Sequence, residues 1–134
     1  MSNSWTTVNL ADINPNLETV PVGDYTFSLG GAKYGNSDPN RVEVNATIVT
    51  EGDFTGRKVF FSYPDPDKYD WSPKALKRLE VALGVDMLPG QDPVEYLNSV
   101  GGHRFAAPVR HGKTTPEYPT PKAEVDIFKV RPAA

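Results

Sequence analysis

Apolar and polar residues alternate with a period of two in several short stretches of this 134-residue chain. In Asp24 to Leu29, Tyr25, Phe27 and Leu29 interleave with Asp24, Thr26 and Ser28, the pattern of a half-buried strand. Arg41 to Val49 repeats it, with Val42, Val44, Ala46 and Ile48 on one face and Arg41, Glu43, Asn45 and Thr47 on the other. Arg57 to Tyr63 is a third strand, where Val59, Phe61 and Tyr63 alternate with Lys58, Phe60 and Ser62.

The period then changes. After a Pro/Asp-rich loop, Ala75, Leu76, Leu79, Ala82 and Leu83 fall on one face of a helix. Ser72 is the expected N-cap, Pro73 the first helical residue and Gly84 the left-handed stop. A second, shorter helix is expected from Asp92, with Pro93 first and Glu95 completing a capping box. It ends at Gly101-Gly102. Alternation returns in His103 to Arg110, where Pro108 marks an edge or a bulge, and in Ala123 to Val130. Residues 1–21 read as a polar arm that docks through Trp5, Val8, Leu10 and Ile13 onto a single domain spanning 22–134.

The order is therefore three strands, a helical insert, and two strands. Gly30 to Asn40 and His111 to Lys122 are long Gly/Pro-rich loops, too poor in strand formers to sustain a ladder. A five-stranded OB-type barrel carries its helix between strands 3 and 4 and grips its ligands with the loops between strands 1 and 2 and strands 4 and 5. The expected fold is such a barrel.

Composition narrows the chemistry. There are 13 prolines and 11 glycines, which suits a loop-rich β protein, and no cysteine, which excludes a disulfide framework and thiolate chemistry. No apolar run is long enough to cross a bilayer, and Met1 to Leu10 lacks the charge and apolar core of a secretory signal. A cytoplasmic protein is expected. The net charge of −3 is unevenly spread: residues 1–100 hold 8 Lys/Arg against 14 Asp/Glu, and residues 101–134 hold 6 against 3. An anionic ligand should meet the C-terminal third first.

The titratable residues form no recognisable catalytic pattern. His103 and His111 have no Ser-His-Asp partners, and a metal triad would need Asp126 or Glu117 without any supporting spacing. Asp65, Asp67 and Asp70 lack the glycine and terminal glutamate of a calcium loop. Gly30-Gly31 and Gly101-Gly102 are not phosphate loops. No enzyme, metal or cofactor is expected. Tyr69 and Trp71 are expected to fold back on the helix start.

What remains is a basic and aromatic pattern. Sequence-tolerant single-strand binders join a positive groove to rings on which bases stack. The candidates are Lys33 and Tyr34 in the first long loop, then Arg41, Arg57, Lys58 and Phe60. Arg104, Arg110, His111 and Lys113 follow, with Tyr118 and Lys122 beyond them. Phe60 stands out because its strand parity places it on one face with Lys58 and Ser62, where it is either an exposed stacking ring or a ring packed under the N-terminal arm or against the helix.

Three stretches carry a family resemblance: V-P-V-G-D-Y-T-F (20–27), V-E-V-N-A-T-I-V-T-E-G-D-F-T-G-R-K-V-F (42–60) and A-L-K-R-L-E-V-A-L-G (75–84). Together with Gly102-His103-Arg104-Phe105 and Glu124-Val125, they resemble a family of short bacteriophage proteins, often filed as a domain of unknown function. These are encoded among recombination and replication genes and are thought to be OB-like single-stranded DNA-binding proteins. The resemblance implies that single-stranded DNA, with other replication or recombination proteins, is the partner here. Strand four starts less basic than the family pattern, and the acidic recruiting tail of bacterial single-strand-binding proteins is missing. A non-enzymatic structural or assembly module is the alternative, and a carbohydrate binder built on Tyr63, Tyr69, Trp71 and the nearby aspartates is a third.

Overall fold

The computed structural model describes residues 19–112, 116 and 121–133. The arm proposed for 1–21 therefore lies almost wholly outside the described residues, as do Lys113, Glu117 and Tyr118. Six strands and two helices are described: β1 (Gly23–Tyr34), β2 (Val42–Ile48), β3 (Lys58–Tyr63), α1 (Ser72–Leu83), α2 (Pro93–Ser99), β4 (Arg104–His111), β5 (Ala123–Val125) and β6 (Arg131–Pro132).

The strands close in the order β1-β2-β3-β5-β4 and back to β1, with β6 added beside β4. The β3–β5 seam is parallel and the other seams are antiparallel. This is the five-stranded, mixed barrel of the OB type, with the helical insert between β3 and β4. Closure leaves no long open edge among the five barrel strands.

The alternating apolar faces point into the barrel. Phe27, Ala46, Ile48, Val59, Phe105, Ala107, Val109 and Val125 are all buried there. Phe27 pairs with Phe105 across the β1–β4 seam, and the two rings stack with centroids 5.3 Å apart. Phe61 meets Phe105 edge-on at 6.1 Å. α1 closes the core with Ala75, Leu79, Ala82 and Leu83, and α2 with Tyr96 and Leu97. Leu79 is fully buried, so truncating it to alanine would cost about 2–5 kcal/mol.

Four expectations need correction. β1 does not stop at Leu29. It runs on to Tyr34, and its second half pairs with Asn45 to Val42 of β2. The glycines expected to break the ladder instead supply a β-bulge between Leu29 and Gly31, which bends the strand out of the β1–β4 seam and lets it continue on β2. Beyond the seam, Asn98 of α2 serves as a substitute strand: its side-chain amide accepts from the Ala32 N–H (2.9 Å) and donates to the Ala32 carbonyl (3.0 Å). The β1–β2 loop shrinks to residues 35–41, and Lys33 and Tyr34 sit on a strand.

Ser72 is not the N-cap of α1. Trp71 holds that place without a side-chain cap, and the Ser72 hydroxyl donates to the Pro64 carbonyl at 2.7 Å, tying the helix start to the end of β3. The last expected strand splits. β5 ends at Val125, and a turn at Asp126, whose carboxylate accepts from the Phe128 N–H, separates it from β6. Pro108 is no edge residue of the barrel. Its carbonyl accepts from the Asp126 N–H, but with no N–H of its own it cannot return the bond to Asp126, and the β4–β5 ladder ends at this pair. Gly84 (φ 76°) ends α1 and the Asp92 carboxylate caps α2 at the Glu95 N–H (3.1 Å), both as expected.

Candidate nucleic-acid interface

The same alternation that fills the core leaves Glu43, Asn45 and Thr47 of β2 and Lys58, Phe60 and Ser62 of β3 on the outer face. The register sets Asn45 opposite Phe60 and Glu43 opposite Ser62. Phe60 is the centre of this face and is 53% exposed, in a strand whose neighbours Val59 and Phe61 are buried. An exposed ring of that size on a sheet face is a ready stacking surface.

Phe60 stands between two clefts. One, of about 200 Å³, is walled by Arg41, Glu43, Ser62, Arg110, Lys122 and Glu124. The other is lined by Lys33, Glu43, Asn45 and Asn98. β3 brings Phe60, the end of the β1–β2 loop brings Arg41, the end of β4 brings Arg110, and the start of β5 brings Glu124 with Lys122 just before it. The parallel β3–β5 seam, which pairs Phe60 with Glu124, is what joins the first half of the chain to the last quarter.

The electrostatics are mixed. Arg41 donates to the Ser62 hydroxyl at 2.9 Å. Arg110 lies 3.5 Å from Glu124, and Lys33 lies 3.9 Å from Glu43. Both ion pairs are solvent-exposed and worth little individually, so an incoming phosphate can exchange with the carboxylate at small cost. Among the lining residues three cations of the first cleft outnumber its two carboxylates.

A third cleft continues from Arg41 and Arg110 past Asp38 and Lys68 to Tyr69, Trp71 and Phe128. The three rings form one cluster, with centroids 5.5 Å (Tyr69–Trp71) and 5.1 Å (Trp71–Phe128) apart. Tyr69 and Phe128 are each 46% exposed. Tyr69 and Trp71 do gather at the start of α1, yet they also present a ring surface to solvent. Lys68 and Phe128 were missed by sequence reasoning. Phe128 was hidden by the continuous alternation assumed for residues 123–130. The aspartate at 126, a turn former that breaks this stretch, was the available signal.

The remaining sequence candidates scatter. Tyr34 is not a loop ring: its hydroxyl donates to the Asp92 carboxylate at the start of α2. That bond and partial burial push its pKa up from 10.0 to about 12, while the same bond holds Asp92 below the usual carboxylate range. Arg57 precedes β3 and lies 6.0 Å from the Phe54 ring centroid, and Lys58 pairs with Thr47 at the same end of the face. Arg104 is six residues from Arg110 on β4, roughly 20 Å along a strand, and so is remote from the clefts. His111 is tied to the start of the described chain: its Nε2 meets the Val20 carbonyl at 2.7 Å, which requires the proton on that nitrogen. Lys122 joins the first cleft.

Asp65 is buried and accepts from the Asp67 N–H and from the Asn40 side chain, bracing the loop after β3 against the β1–β2 loop. Among the described residues no group of three metal-ligating side chains is gathered, and no helix is long and apolar enough to cross a membrane. Comparison of the chain with protein-family models and with curated proteins gives no match.

Proposed function

We propose that this protein binds single-stranded DNA without sequence preference across the outer face of β2 and β3. The observation that carries this reading is Phe60, a half-exposed ring at the centre of the face an OB barrel uses for oligonucleotides, flanked by Arg41, Arg110 and Lys122. Bases stack on Phe60, and the backbone follows the cations toward the Tyr69–Trp71–Phe128 cluster. A ring with long, flexible cations around it suits sequence-tolerant binding, since every base offers a face to stack and every nucleotide a phosphate. The choice of DNA, and a supporting role in phage replication or recombination in the host cytoplasm, rests on the sequence resemblance.

Fluorescence anisotropy with a labelled 30-nucleotide oligo-dT tests this. Wild type is expected to bind at low salt. Phe60→Ala is expected to lose about 1–3 kcal/mol of affinity while its melting temperature holds, because the ring is exposed. A wild-type chain that ignores oligo-dT at low salt while scattering light as a stable oligomer would replace this reading with an assembly role.

A further inference from the structure

Away from the β2–β3 face, a shallow groove runs between α1 and β6. Every charged residue lining it is a cation: Lys74, Lys77 and Arg78 from the helix and Arg131 from the strand. Lys77 is held by Glu80 and Arg131 by Asp24 (3.2 Å), whereas Lys74 and Arg78 have no ion-pair partner among the described residues. Lys74, Arg78 and Val81 follow one another at i, i+4 and i+7, so they form one stripe of the helix surface. Val81, 61% exposed, and Pro132 make the apolar part of the groove.

We infer that this groove docks a short acidic segment of a partner protein, with an aliphatic side chain on Val81 and carboxylates on Lys74 and Arg78. Three observations select that partner. The lining cations without a lining carboxylate favour an anion, and a guanidinium such as Arg78 takes a carboxylate in a two-pronged bond. The groove contains no ring, so bases would have nothing to stack on, in contrast to the Phe60 face. The chain is acidic overall, so an acidic peptide is repelled from most of its surface and steered to the few basic places.

The test uses the full chain and a fluorescein-labelled octapeptide of four glutamates and four leucines in alternating pairs. An all-glutamate octapeptide and an eight-nucleotide oligo-dT are run beside it at two salt concentrations. The mixed peptide should bind, and the all-glutamate peptide should bind about tenfold more weakly, because the apolar contact is lost. The double variant Lys74→Glu/Arg78→Glu should lose at least about tenfold for the mixed peptide, and Val81→Ser should lose less. Both variants alter exposed positions, and their melting temperatures are measured in parallel. Equal binding of the two peptides, or an unchanged affinity in the double variant, would overturn the proposal. So would a loss of oligo-dT binding in the double variant, which would give the groove to nucleic acid.

Discussion

Tyr34 shows how one hydrogen bond ties a surface ring to a neighbouring helix. Its position near the end of β1 brings the phenol to Asp92, and the bond makes ionisation harder in the folded state than in the unfolded chain. A raised tyrosine pKa stabilises the fold fully below the unfolded value of 10.0, and that contribution is lost as pH climbs from there toward 12. Urea melts between pH 9 and 12 should therefore fall less steeply for Tyr34→Phe than for wild type. The fall should not vanish, because burial raises Tyr63 and Tyr96 in the same direction. Asp92→Ala should bring the Tyr34 absorbance titration back toward its ordinary value. It should also remove the cap of α2, a loss of about 1 kcal/mol. A Tyr34 that titrates normally in the wild type would show that the bond is not formed in solution.

Among the elements, β1 is the one whose behaviour departs furthest from its pattern. Its bulge works because Gly30 has no side chain. A Cβ there would lie 2.0 Å from the Asn45 Oδ1 and 3.0 Å from the Asn45 backbone oxygen. The Asn45 amide also donates to the Gly31 carbonyl and so cannot swing away without losing that bond. Gly30→Ala should cost about 1–3 kcal/mol in denaturant unfolding. Adding Asn45→Ala should recover only part of it, since the backbone oxygen remains close. A neutral Gly30→Ala would mean that the strand bends by another route. The bulge, and the Asn98 amide that closes the strand edge beyond it, explain why Lys33 reaches the second cleft and not an open loop. Neither device leaves a mark in a period-two pattern.

For the whole molecule, the relevant quantity is how few cations the binding face commits. Arg41, Arg110 and Lys122 are the cations of the first cleft, two carboxylates share it, and the chain carries a net charge of −3. With Lys68 on the way to the Tyr69–Trp71–Phe128 cluster, four displaced counterions on a single strand give a log–log salt slope of roughly −3. Affinity for oligo-dT should thus fall modestly between 50 and 200 mM salt, with stacking supplying the rest. A slope two or three times steeper would assign the strand to a more basic surface than this one.

Much of the fold was legible in the chain because its signals are local. Period-two alternation over 42–48 and 58–63 decided which residues face the core. It also put Phe60 on the side of β3 away from Val59 and Phe61, while only the structure shows that nothing described covers the ring. The helical stripe of Ala75, Leu79, Ala82 and Leu83, the stop at Gly84 and the cap at Asp92 are matters of neighbours a few residues apart. Tertiary structure alone decided which strands meet. Arg41, Phe60 and Arg110 share one cleft only because the barrel closes through a parallel β3–β5 seam, a contact between residues 64 positions apart at Phe60 and Glu124. It also decided that Tyr34 serves α2, that His111 holds the Val20 carbonyl, and that Phe128 joins Trp71. Those outcomes depend on hydrogen-bond partners and packing brought from distant parts of the chain, and local sequence periodicity carries no record of them.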